Sequence, residues 1–109
     1  MGKEHEAVKA IYKKPGKEPE IIEVENELGA LAEKIDGDIE KYDIAVDACV
    51  ICDKEWERKY YASKVICGKL FGGPILIVGA DGEEFCDLPQ PEVVKELIWP
   101  TREDARYKK

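Results

Sequence analysis

Apart from the abundant carboxylates and lysines, the residue types able to do covalent or metal chemistry are few in this sequence: Cys49, Cys52, Cys67 and Cys86, one serine (Ser63), one threonine (Thr101) and one histidine (His5). The Cys49-Val50-Ile51-Cys52 spacing raises zinc or dithiol chemistry. A zinc knuckle must curl so that both sulfurs reach one ion. Here the intervening residues are β-branched, in a segment that reads as a strand, where positions i and i+3 point to opposite faces. The sulfurs therefore diverge, Cys67 and Cys86 make no second pair, and no metal or cofactor is expected. No helix start follows the pair to lower a thiol pKa, so packing thiols are expected. A serine triad would have to join Ser63 to His5, with nothing to support the pairing. Gly68-Lys69-Leu70-Phe71-Gly72-Gly73 fails as a phosphate loop, since Lys69 is followed by Leu70 in an extended run rather than by Ser or Thr opening a helix.

Two other features carry potential function. Trp56, Arg58, Lys59, Tyr60 and Tyr61 form a cationic and aromatic cluster on a connection. Rings beside Arg and Lys can stack on a base and pair a phosphate. The alternative is that Trp56 and one tyrosine close over a sheet while the basic groups reach outward. The second feature is acidity. The 109 residues carry 24 acidic and 17 basic side chains, a net charge of −7. Residues 21–57 hold twelve Asp or Glu against three Lys, net −9, while both flanking segments are net +1. The excess makes an acidic face including Glu23, Glu25, Asp43 and Asp47 a candidate site for a partner with a basic surface. The other explanation is a solvated outer surface. Long nucleic acids and anionic membranes are excluded as partners, because both repel an acidic domain.

These groups must be positioned by a small fold. The length supports one core, and 44% apolar content suffices to build it. We expect a single α+β domain over residues 1–100 and a polar tail over 101–109. The longest apolar run, Pro74 to Val78, is too short to span a bilayer, and no apolar stretch of signal-peptide length opens the chain. A cytoplasmic protein with reduced thiols is the expectation.

Ala7–Tyr12 and Glu20–Glu25 alternate as strands around the turn residues Pro15-Gly16, which predicts a hairpin. Leu28, Leu31, Ala32 and Ile35 follow at helical spacing, with Asn26 the expected N-cap and Gly37 the expected left-handed residue beyond the end. Residues 39–53 read either as one long strand or as two, 39–44 and 47–53. Residues 53–64 read as a connection and 64–71 as extended. Ile75–Val78 is a central buried strand, and Asp81-Gly82 turns it back through residues 83–87. Val93, Val94, Leu97 and Ile98 mark a second helix, opened near Pro91 and ended by Pro100. The architecture expected is a mostly antiparallel curved sheet of five or six strands with two short helices.

The order of these landmarks resembles domain-of-unknown-function family 3846, small proteins or domains of bacteria, phages and conjugative elements. The carrying segments are Pro15-Gly16-Lys17-Glu18-Pro19 through Val24-Glu25-Asn26, Leu28 and Leu31 leading into Gly37-Asp38-Ile39-Glu40, and Val50-Ile51-Cys52-Asp53-Lys54-Glu55. They end in Gly73-Pro74-Ile75-Leu76-Ile77-Val78-Gly79, Asp81-Gly82-Glu83-Glu84-Phe85 and Leu88. Two departures are the missing Gly or Asp-Asp-Gly turn near residues 45–47, and Pro89-Gln90-Pro91 where a Thr-led cap is usual. The resemblance implies an α+β fold and a phage or mobile-element setting, and it carries no catalytic residues across. The leading expectation is a non-enzymatic accessory protein that binds a protein partner through its acidic face. An alternative is a protein that sequesters a small anionic, nucleotide-type ligand. A weaker one is a carboxylate- or metal-dependent hydrolase.

Overall fold

The computed structural model describes residues 7–82 and 84–99. His5, Thr101 and the tail expected over 101–109 lie outside the described residues, as does Pro100. Strands β1 (Ala7–Lys13) and β2 (Glu20–Glu25) form the expected antiparallel hairpin, with Lys9 opposite Glu23 and Ile11 opposite Ile21. Helix α1 (Leu28–Ile35) follows. Residues 39–53 resolve into two strands, β3 (Ile39–Ala45) and β4 (Ala48–Asp53), reversing at Val46-Asp47 without a glycine. Strand β7 (Ile75–Asp81) then pairs with β1 on one edge and β4 on the other. The short β8 (Glu84–Cys86) returns along the far end of β7. The main sheet has six strands, all antiparallel, in the order β2-β1-β7-β4-β3 with β8 beside β7.

Segment 53–72 departs from the sequence expectation. The connection contains a one-turn helix, α2 (Trp56–Lys59), and the stretch read as one extended run is a second hairpin of β5 (Ala62–Ile66) and β6 (Lys69–Gly72). Its two-residue turn is Cys67-Gly68, with φ of 51° and 82°. A turn with both central residues left-handed matches the twist of the strands it joins, and glycine at the second position carries no steric cost. Cysteine at the first position hid the signal. With α3 (Pro91–Ile98) the described residues form three short helices rather than two, and the fold is α+β.

The sheet is covered on both faces. Val8, Ala10 and Val24, with Cys49, Ile51, Leu76 and Val78, pack beneath Leu31 and Ile35 of α1. On the opposite face, Ile11, Val50, Cys52, Ile75 and Ile77 meet Ile66 and Phe71 of the β5–β6 hairpin, Trp56 of α2 and Leu88, with Val94 and Ile98 of α3 packed against them. Alternation along β4 explains the partition, because both faces of a central strand must be apolar.

Two capping expectations are corrected. The N-cap of α1 is Glu27, whose carboxylate accepts from the Ala30 N–H at 3.2 Å, while the Asn26 side chain donates to the Phe85 carbonyl at 3.1 Å. Asn26 thus ties the helix start to β8. The left-handed residue at the other end is Asp36 (φ 65°), not Gly37. Gly37 is small for a different reason: a Cβ there would lie 2.7 Å from the Asp53 carboxylate.

Cys49 and Cys52 belong to opposite cores, so they cannot share a ligand. Burial pushes both thiols up to about 11, whereas Cys67 is exposed on its turn. A disulfide-exchange reagent at mildly alkaline pH is expected to titrate Cys67 rapidly in the native protein. Cys49 and Cys52 should respond only when denaturant unfolds the chain. Rapid native reaction of either would contradict the divided core.

Candidate functional site

The cationic and aromatic cluster is built around Asp53, the last residue of β4. Asp53 is 1% exposed, and a carboxylate so buried is costly unless its oxygens are satisfied. Here they are: Oδ1 accepts from the Glu55 N–H at 2.9 Å, and Oδ2 accepts from Lys59 Nζ at 2.8 Å. The first bond turns the chain out of the sheet, and the second closes α2 back onto it. Burial pushes the Asp53 carboxyl up. The hydrogen bonds from Lys59 and from the Glu55 N–H, with the charge of Lys59, outweigh burial and hold it below its ordinary value. A carboxyl held low is the opposite of a general acid, which needs a raised pKa.

The five residues of the cluster separate into different roles. Trp56 is 8% exposed and its ring lies against Gly72, so it is a core residue and not a stacking platform. Arg58 is exposed and paired with Glu55 at 3.1 Å. Lys59 is engaged by Asp53, with Asp36 near enough to add to its stabilisation. Tyr60 is half-buried, its ring against Gly73, while Tyr61 is 94% exposed. Lys59, Tyr60 and Tyr61 do meet. With Pro15, Ala62 and Gly73 they line a concavity of about 330 Å³. Pro15 comes from the β1–β2 turn, so the concavity lies at the end of the sheet where that turn meets the start of β5.

Sequence reasoning missed two further cations at this end. Lys13, the last residue of β1, is half-buried, and its ammonium donates to the Lys14 carbonyl at 2.8 Å. Lys64, also half-buried, stands opposite Phe71 in the second hairpin and so shares the face turned toward the main sheet. Burial lowers the Lys13 pKa; the Glu18 charge opposes this, and a smaller effect of Lys64 adds to it. Neither lysine forms an ion pair among the described residues. The residues are 51 positions apart in sequence. Lys13 belongs to the main sheet and Lys64 to the second hairpin, so spacing gave no signal.

The acidic residues are not gathered. Glu23 and Glu25 lie on β2, at one edge of the sheet; Asp43 lies on β3, at the other, and Asp47 in the β3–β4 turn. Glu23 and Glu25 alternate with Val24, which faces α1, and so occupy the face of α3. Asp43 pairs with Cys49 and occupies the face of α1. The four therefore form no single face. A smaller concavity of about 260 Å³ lies elsewhere, lined by Asn26, Glu27, Leu28, Leu31, Glu84 and Phe85. Among the described residues no group of three or more His, Cys, Asp or Glu could hold a metal ion, and no helix is long and apolar enough to cross a membrane.

Fold and site together define a small α+β protein with an open antiparallel sheet covered on both faces. The chain belongs to the family described as Domain of unknown function (DUF3846), whose family model matches residues 8–98, as its landmarks led us to expect. No curated protein and no solved structure matches it.

Asp53 contributes stability with a defined pH dependence. Its carboxyl titrates below the ordinary 3.8 in the folded chain, so its contribution is complete above that value and is lost as pH falls through the folded pKa. Asp53→Asn is expected to cost about 1–3 kcal/mol at neutral pH. It should also flatten the acid limb of stability measured by urea unfolding. An unchanged acid limb would show that the Lys59 bond does not hold the carboxyl down.

Proposed function

We propose that this chain acts by binding, and that its ligand is a small anion of nucleotide type seated at the concavity lined by Pro15, Lys59, Tyr60, Tyr61, Ala62 and Gly73. The observation that carries this reading is Tyr61. Large apolar and aromatic side chains gain about 1.5–3 kcal/mol from burial, yet this ring stands almost wholly in solvent at the rim of a concavity. A planar base laid on it gives the ring a partner, and base–aromatic stacking contributes about 1–3 kcal/mol. The volume is at the low end of small-molecule sites, roughly 300–1,000 Å³, which suits a mononucleotide better than a dinucleotide. Net charge does not oppose this, because a bound ligand responds to charges within the screening length, and the ionisable residue whose side-chain charge lines the concavity is Lys59. On the family resemblance alone, the setting is an accessory protein of a phage or integrated element.

Mononucleotides and cyclic nucleotides are expected to raise the melting temperature in a concentration-dependent manner. Tyr61→Ala should remove the shift and leave the unliganded melting temperature unchanged. Arg58→Ala, at a residue outside the concavity, should leave the shift intact. A shift that survives Tyr61→Ala would place the ligand elsewhere.

A second reading, a protein partner with a basic surface, is favoured by the β2 edge. Among the described residues β2 pairs only with β1, and Glu23 and Glu25 stand exposed on one of its faces. An unpaired edge bearing like charges resists self-association and accepts a cationic partner. Under this reading Glu23→Lys with Glu25→Lys weakens capture of a basic partner at least about tenfold, while Asp43→Lys with Asp47→Lys, at the opposite edge, does not. Equal effects from both pairs would refute the β2 edge as the docking position.

A further inference from the structure

We infer that the chain pairs with a second copy of itself in a twofold dimer, the β3 edges of the two sheets running antiparallel about Tyr42. β3 contributes no residue to the ligand concavity, so this holds whether or not a nucleotide binds there. The path of the main sheet ends at β2 and at β3, and among the described residues β2 pairs only with β1 and β3 only with β4. Such an edge presents N–H and C=O groups that a second strand can satisfy unless side chains forbid it. The two edges differ in what their charges allow. β2 carries Glu20, Glu23 and Glu25 and no cation, so it offers a second β2 no opposite charge. β3 carries both signs on one face: Lys41 and Asp43 stand opposite Ile51 and Cys49, on the side of α1. Their side chains are 44% and 73% exposed and meet at 3.9 Å, the outer limit of an ion pair.

A twofold axis normal to the sheet keeps each face continuous across the seam, so a residue can lie opposite only one from the same face of the second copy. Few registers remain. Centred on Glu40, Lys41 or Asp43, the pairing sets that residue opposite itself, a like-charge contact that destabilises. Centred on Tyr42, it sets Lys41 opposite the second copy's Asp43 and, by symmetry, Asp43 opposite the second copy's Lys41. Lysine on an edge strand ordinarily repels a copy, and in this register it attracts one. Tyr42 is a fixed centre: its ring meets Phe71 edge-on with centroids 5.7 Å apart, and the Lys69 ammonium stands over it at 4.2 Å. The seam is short. A register shift between Asp43 and Ala45, with the Cys67 thiol 3.8 Å from the Ile44 carbonyl, ends the regular edge beyond Asp43. The assembly closes at two copies, because the glutamates of β2 bar the edge that each copy leaves free.

The test is sedimentation of the full chain over a concentration series reaching about 1 mM, with charge reversals at these exposed positions. Wild type is expected to show a reversible monomer–dimer equilibrium. Lys41→Glu and Asp43→Lys should each weaken it at least about tenfold, because each turns two attractive contacts into two repulsive ones. Mixed in equal amounts, the two variants should form a heterodimer, since every charged contact across its seam is then a carboxylate against a lysine. Lys41→Asp combined with Asp43→Lys should restore the homodimer. Glu23→Lys, the same change of charge at the other edge, should leave dimerisation unchanged. A chain that stays monomeric over the whole series would overturn the inference, as would a dimer indifferent to both reversals or one abolished by Glu23→Lys. Reversals that weaken the dimer with no recovery in the mixture or in the double exchange would overturn the pairing about Tyr42.

Discussion

Strand β7 is hydrogen-bonded along both edges and covered on both faces, and this double enclosure constrains the rest of the chain. Ile75, Leu76, Ile77 and Val78 are all at most 2% exposed. A four-residue apolar run so placed needs a strand on each side, supplied by β1 and β4, and a layer above and below. Among the described residues of the first half of the chain, helix α1 is the layer that packs on the sheet. The opposite face therefore has to be closed by everything after β4, and the second hairpin, Trp56, Leu88 and α3 all converge there. The demand also reaches β4, whose residues are all buried, and it sends Cys49 and Cys52 to different cores. A spacing that suggests metal binding on paper is the ordinary alternation of a strand sandwiched between layers.

Closing the second face brings the chain past the end of β4, and Asp53 marks that passage. Its carboxylate occupies the space where a side chain on residue 37 would stand, so the exit from α1 and the exit from β4 are fitted to each other. It then holds the Glu55 amide and the Lys59 ammonium, which fixes α2. Trp56, on the inner side of that turn, drops into the core, and Tyr60 and Tyr61 emerge beyond it beside the β1–β2 turn. A buried carboxylate is a weak source of net stability, but one that accepts two hydrogen bonds from the 55–59 segment and fills the space beside Gly37 specifies one path for the chain. The concavity exists because of that path.

Elements with their own local signals were legible in the sequence: alternation in β1 and β2, helical spacing in α1 and α3, the apolar run of β7, and the Asp81-Gly82 turn. Signals shared between distant segments were not. The Cys67-Gly68 turn resembles no common hairpin pair, because cysteine rarely takes a left-handed conformation. The Glu27 cap was hidden by Asn26, a better capping residue on intrinsic grounds that is drawn instead to the Phe85 carbonyl 59 positions away. Trp56 could be read as a surface ring or a core residue. Only the gap over Gly72 decides between them, and that gap belongs to the second hairpin. The separation of the four acidic residues was hidden for a related reason: strands adjacent in sequence can lie at opposite edges of a sheet, and alternation along one strand says nothing about which face it shares with another.

The same argument corrects the meaning of the net charge. A value of −7 describes how the molecule behaves at distances beyond the screening length, roughly 8 Å at physiological salt, where it repels long polyanions. A ligand entering a concavity responds to charges closer than that. At the meeting of the β1–β2 turn and β5 the cation that lines the concavity is Lys59, bonded to the buried Asp53. Asp53 is saturated by its own hydrogen bonds, and its partner Lys59 retains 44% of its side-chain surface, so the carboxylate is hidden and the ammonium is presented. At Asp53 burial thus hides the anion, while the side chain of its partner Lys59 stays partly exposed at the concavity. An acidic protein can in this way reject a nucleic-acid strand and still admit a single phosphate, because the two ligands sample its field at different distances.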